Sequence, residues 1–235
     1  MDKYIIENEK IFLKGKLKGC PLTADSKNKF DHKGKPLAFP GCSIISKIPL
    51  KSDLFHEIKL LQLKYKDLSP EKSYTYLPET SFHMTLFDCC NVNTINTQYW
   101  PQNIVADNNY TKIAYELSKR IQNYIFPDKF DLKVNNFFGG FSIILEGNTK
   151  KDEKIIRDCR NKLSDLLGIR FENHDTYTFH ITFAYILRNL KDDEIEKLVR
   201  INSRLLEKFV GKFPIIRIQK PVLCTFENMY EFKST

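Results

Sequence analysis

Apolar residues recur along this chain in two rhythms, the alternation of half-buried strands and the three-to-four spacing of helices that face a core. Residues 43–48 form a short β-type run entered through Pro40-Gly41. Ser52 is placed to cap a helix whose Leu54, Phe55, Ile58 and Leu61 share one face. Residues 81–87 alternate apolar and polar. Residues 91–109 are polar and Asn-rich around Tyr99-Trp100-Pro101, and read as a long loop. A helix is predicted over 111–126, striped by Ile113, Leu117, Ile121 and Tyr124 and stopped by Pro127, followed by a strand over 130–137.

The second half repeats this order. Residues 141–146 read as a strand. Ile155, Ile156, Cys159, Leu163, Leu166 and Leu167 stripe a helix that ends at Gly168. Residues 176–187 form an alternating strand, and a helix over 192–210 turns Ile195, Leu198, Val199, Leu205 and Leu206 inward with Gly211 closing it. Residues 213–219 and 222–226 are the last strands, parted by Lys220-Pro221. Strand, helix, alternating strand, helix, strand thus occurs twice, which predicts an α+β protein of two similar lobes. No Pro/Gly/Ser-rich linker separates them near residues 135–140. The expected organisation is a basic extension over 1–35 and a single bilobal domain over 36–235.

The two alternating strands carry the chemistry. In the first, Phe82, Met84 and Leu86 point one way and Ser81, His83, Thr85 and Phe87 the other. In the second, Phe179, Ile181 and Phe183 oppose Thr178, His180, Thr182 and Ala184. Each lobe therefore offers a His-x-Thr on the polar face of an apolar-backed strand, its imidazole and hydroxyl roughly 7 Å apart. A single His-x-Thr has little meaning. Two, at the same place in each half, would line one groove with two imidazoles and two hydroxyls if the lobes face each other. That set suits acid–base chemistry at a phosphate: a neutral His takes a proton, a protonated His gives one, and the Thr hydroxyls donate to non-bridging oxygens. No metal is needed for it.

Charge adds an anionic partner to this picture. The 235 residues carry a formal charge of +8, and nine Lys against five acids put +4 of it in residues 1–35. Of the 37 basic residues, 29 are Lys, which suits a charged flexible lead-in better than a dedicated nucleic-acid arm. Six cysteines without a C-x-x-C pair read as reduced thiols in a cytoplasmic protein. No apolar run reaches the ~20 residues of a membrane helix, and Met1-Asp2-Lys3-Tyr4 does not open like a signal peptide, so no membrane association is expected.

Other residues are weaker candidates. His174 precedes the second motif and is a candidate to reach the groove from its loop, against a purely structural role there. His32 and His56 read as surface residues, and Cys89-Cys90 as packing. A metal site from His83, His180 and His174 lacks any supporting ligand spacing. Tyr177, Tyr185, Phe87 and Trp100 are candidates to stack on a base.

His83-Met84-Thr85 and His180-Ile181-Thr182 resemble the paired motifs of the two-histidine (2H), LigT-like phosphoesterase superfamily. A closer likeness, to a branch named only as a domain of unknown function, rests on three segments. These are Phe30-Asp31-His32-Lys33-Gly34 through Phe39-Pro40-Gly41, residues 74–87, and residues 157–187 with Arg157-Asp158-Cys159-Arg160, Gly168-Ile169-Arg170 and His174 to His180. The resemblance implies a bilobal α+β LigT-like fold, with pseudo-symmetric lobes whose antiparallel sheets line a central cleft. It also implies metal- and cofactor-independent hydrolysis of phosphodiesters such as 2′,3′-cyclic nucleotides, cyclic RNA ends or short oligonucleotide linkages. His83 and His180 would be the acid–base pair, and Thr85 and Thr182 the phosphate donors. Where relatives carry Gly-Asn-Thr, this chain has Gly41-Cys42-Ser43, so Ser43 retains a hydroxyl for substrate while Cys42 lacks the amide. Ser43, His174 and Tyr177 are the expected substrate contacts, and the expected state is a monomer. The alternative is a module that binds a nucleotide or RNA end without turning it over.

Overall fold

The computed structural model describes residues 3–15 and 25–235, and Cys20 with its neighbours lies outside them. The chain runs α1 (Lys3–Leu13), α2 (Asp25–Lys29), β1 (Gly41–Lys47), α3 (Asp53–Leu68) and β2 (Tyr74–Tyr76). A 3₁₀ turn (Glu79–Ser81), β3 (His83–Asn91), α4 (Tyr110–Ile121) and β4 (Lys129–Phe138) follow. The second half holds β5 (Ser142–Gly147), α5 (Lys150–Leu167), β6 (Phe179–Thr182), β7 (Ala184–Ile186) and α6 (Asp192–Lys212). Three strands close the chain, β8 (Ile216–Gln219), β9 (Val222–Asn228) and β10 (Glu231–Ser234).

Helix boundaries follow side-chain chemistry. Ser52 Oγ accepts from the Phe55 amide at 3.1 Å and starts α3. Thr149 and Asp152 form a reciprocal capping box at the head of α5, and Gly168, at φ 66°, ends that helix in the left-handed conformation. Gly211 does not close α6, which runs one residue past it to Lys212. Along α5, Ile156, Cys159, Leu163 and Leu167 are buried, whereas Ile155 sits at the edge of the stripe and stays exposed.

Eight antiparallel strands form one sheet in the order β10-β9-β1-β3-β6-β5-β4-β8, with β2 and β7 paired apart from it. The architecture is α+β. The two sets of four strands meet at β3 and β6, so the lobes share a continuous sheet. Within the second set β4 and β5 form a hairpin through Gly139, Gly140 and Phe141, with both glycines at positive φ (61° and 69°), backbone that glycine adopts at no steric cost.

Sequence alternation misplaces two stretches. Register shifts where β1 pairs with β3, one of them between Ile44 and Ile45, insert extra residues into β3. Between the two shifts the side chains change face, and beyond the second they return, so that Asn91 again lines the cleft. Phe87, expected beside His83 and Thr85, is buried in the core, and Asp88 takes the cleft side. The strand predicted over 176–187 breaks at Phe183, where β7 leaves the main sheet to pair with β2; Ala184, expected on the polar face, is fully buried.

The lead-in is not a loose charged segment where it is described. Phe12 and Leu13 are buried in the main core and Phe30 in a smaller one with Phe39, Leu77, Phe226 and Met229. Glu9 has no solvent exposure. Its Oε1 accepts from the Gly139 amide and from Asn202 Nδ2, both at 2.7 Å, while Tyr65 donates to Asn202 Oδ1 at 2.6 Å. Burial pushes the Glu9 carboxyl up to about 7, against the lowering effect of the two hydrogen bonds. The folded state therefore holds a proton there that the unfolded chain has lost between its ordinary value near 4.5 and 7, so this group's stabilisation fades as pH rises through that window. Glu9→Gln keeps the acceptor and removes the charge. Urea unfolding should show it more stable than the parent at pH 8 by about 1–3 kcal/mol, with the difference shrinking toward pH 5.

Candidate active site

The centre of the sheet is the pairing of Met84 on β3 with Ile181 on β6. Both side chains are fully buried. Extending this antiparallel register by one residue either way sets His83 opposite Thr182 and Thr85 opposite His180, on the face away from the core. Directly opposed Cβ atoms in such a ladder lie about 4.5–5.5 Å apart and diagonal neighbours about 7–8 Å. The two His-x-Thr motifs thus make a four-cornered patch with a local two-fold axis, and all four side chains line one cavity of about 460 Å³.

Both rings are oriented alike. His83 Nδ1 lies 2.6 Å from the Ser81 carbonyl oxygen and His180 Nδ1 lies 2.8 Å from that of Thr178. A carbonyl only accepts, so each Nδ1 carries the hydrogen and each Nε2 is left for a ligand. Their surroundings differ. The His83 ring packs on Phe232 with centroids 4.2 Å apart. Burial there pushes its pKa down to about 4; His180 and Lys47 push the same way, against the raising effect of the Ser81 carbonyl. His83 is therefore neutral at pH 7, a proton acceptor at Nε2.

The hydroxyls are held in place from the flanks. Thr182 Oγ1 lies 3.2 Å from Ser142 Oγ on β5. The Tyr177 hydroxyl bonds the Thr85 side chain, and burial keeps that phenol far above its ordinary pKa, hence fully protonated. Beneath it the Arg160 guanidinium stacks 3.9 Å from the Tyr177 ring centroid and donates to the Leu86 carbonyl. Arg160 is 3% exposed and has no carboxylate within salt-bridge distance among the described residues. Ser43 Oγ donates to Asp88 Oδ1 at 3.4 Å on the same cavity wall, and Lys29 reaches the rim over the rings of Phe39 and Tyr185.

His83, Thr85, His180, Thr182, Ser43 and Tyr177 thus share one cavity, and Tyr185 lines it too. His174 does not. Its ring is 3% exposed, holds Asn161 Oδ1 at 2.9 Å through Nε2 and stands edge-on to Phe87, 6.0 Å between centroids. The bulges in β3 that turn Phe87 inward give His174 a core partner in place of a substrate. Trp100 spends its indole N–H on the Ile104 carbonyl, outside the cavity. Cys89 and Cys90 are buried, as packing requires. Asp88, Ser142 and Arg160 carry no motif. Ser142 was findable as the polar residue opening the strand that pairs with β6, but Asp88 depends on the bulge and Arg160 reads as one more helix cation. Among the described residues no group of three His, Cys, Asp or Glu side chains is placed to hold a metal ion, and no helix is long and apolar enough to cross a membrane.

Residues 29–140 match the family model 2H-phosphodiest, described as Domain of unknown function (DUF1868). The match spans just under half of the chain. The matched stretch contains β1, β3 and the first His-x-Thr, and the second, on β6, lies outside it. The fold is shared with a conserved protein of unknown function from Agrobacterium tumefaciens, at 23% identity and TM-score 0.88 over 100% of this chain and 98% of that one. A phosphoesterase (8% identity, TM-score 0.46, 83% and 95% coverage) and E. coli LigT complexed with phosphate (8%, 0.43, 85% and 96%) are far more distant. No curated protein matches the chain.

In an NMR titration followed through imidazole 13C and 15N shifts, His83 should stay neutral down to about pH 4 with Nδ1 protonated. Phe232→Ala opens the ring to water and should move that value back toward 6.5.

Proposed function

We propose that this chain is a metal-independent phosphodiesterase that opens cyclic phosphates, such as 2′,3′-cyclic nucleotides or cyclic RNA ends, or cleaves short oligonucleotide linkages. One observation carries the reading. The register at Met84 and Ile181 gathers both His-x-Thr motifs on the wall of one cavity.

In this mechanism the phosphate sits between the two Nε2 atoms, its non-bridging oxygens on the Thr85 and Thr182 hydroxyls. Neutral His83 takes the proton of an attacking water as the new P–O bond forms. Protonated His180 gives its proton to the ribose oxygen as the old P–O bond breaks. One proton enters at His83 and one leaves at His180, so regeneration needs only transfer back through solvent. Charge that grows on the phosphoryl oxygens meets hydroxyl donors held by Ser142 and Tyr177, with the buried Arg160 cation behind Tyr177. His83 is assigned as the base because its surroundings disfavour the charged ring.

Product chromatography with 2′,3′-cyclic mononucleotides, 2′-5′ and 3′-5′ dinucleotides and cyclic dinucleotides tests the proposal. His83→Ala and His180→Ala should each lower turnover by roughly 10²-fold or more with an unchanged far-UV spectrum, and chelator should leave the parent's rate intact. The acid limb of kcat/KM should fall well below pH 6.5, toward 4, since activity requires neutral His83 and is lost only as that ring protonates. Binding without product across the panel would favour the non-catalytic module, and near-normal turnover in either His variant would refute the assignment.

A further inference from the structure

A second, larger cavity of about 1210 Å³ opens from the His180 side of the site. It shares Tyr177, His180 and Thr182 with the first and continues over β5 and β4. The sheet register gives its geometry. His180 is paired with Ile144, and Ile144 with Asn136, so the three stand in one row across β6, β5 and β4. At about 4.8 Å per strand, Asn136 lies roughly 10 Å from His180.

Asn136 is 2% exposed, yet among the described residues neither its Oδ1 nor its Nδ2 has a hydrogen-bond partner. Its neighbour Asn135 spends its own amide on Glu146 Oε2 at 2.8 Å. The ladder shifts between Val134 and Asn136, a bulge that sets Asn136 opposite Ile144. A buried amide with both ends unpaired costs stability and needs a reason. Around it the cavity wall includes the rings of Phe138 and Phe141 and the side chain of Ile144.

We propose that this cavity is a nucleobase subsite and that Asn136 reads the edge of the base. The amide presents one donor and one acceptor in one plane, the complement of N6/N7 of adenine or N4/N3 of cytosine. The apolar and aromatic side chains along this wall suit a flat heterocycle better than a sugar. The inference rests on the phosphodiesterase reading in one respect: the phosphate at the His-x-Thr patch fixes where the base begins. It also makes the substrate lopsided, its bulk lying on the side of the proton donor.

Calorimetric titration tests this without turnover, using 3′-AMP, 3′-CMP and ribose 3-phosphate on the parent chain, Asn136→Leu and Asn136→Asp. In the parent each nucleotide should bind about tenfold or more tighter than ribose 3-phosphate. In Asn136→Leu that gap should close, with a thermal midpoint equal to or above the parent's, because an orphaned amide has been removed. Asn136→Asp, which loses the donor, should narrow the gap as well and serves if the Leu variant does not fold. A gap that survives both substitutions, or a parent that binds ribose 3-phosphate as tightly as the nucleotides, overturns the subsite. Base-dependent binding with no product from any diester would sink the phosphodiesterase reading and leave the subsite standing.

Discussion

Everything at the site depends on one short pairing between two strands that come from opposite halves of the chain. β6 has only four residues, and its contact with β3 is centred on Met84 and Ile181. Those two side chains are driven inward by the hydrophobic effect, and the pleat then forces the neighbours of each onto the other face. No polar contact is needed to bring His83 and His180 into reach. The core does it, because a slip of one residue in either strand would bury the imidazoles and expose Met84 or Ile181.

The same two-fold relation leaves the partners unequal. One ring packs on Phe232, from β10 at the end of the chain, and the other stands beside Tyr177 in an open cleft. Similar backbone arrangements thus set one imidazole against an aromatic ring at the sheet's far side and leave the other facing an open cavity. The asymmetry is supplied by elements outside the repeated unit. β10 covers one side, and the large cavity over β4 and β5 opens on the other.

Much of this was legible in the sequence because it is local. Ser52, Thr149 and Gly168 set helix ends through bonds that span a few residues, and period-two alternation exposed both His-x-Thr pairs. What was hidden depends on pairing partners. Phe87 and Asp88 exchange faces because bulges against β1 shift β3, and no pattern within 81–91 encodes that. The break at Phe183 exists because β2 offers a second strand to pair with. His174 is drawn inward by the displaced Phe87. Asn136 reads as an ordinary strand residue until the sheet shows which wall it faces, and Glu9 reads as a surface acid until α1 is docked.

Glu9 also orders events in time. Its partners, the Gly139 amide and the Asn202 side chain, lie 130 and 193 positions further along. During synthesis α1 leaves the ribosome before its docking surface exists, since that surface needs the β4–β5 hairpin and α6. α1 therefore waits, in the order of synthesis, for a partner that almost the whole length of the chain separates from it.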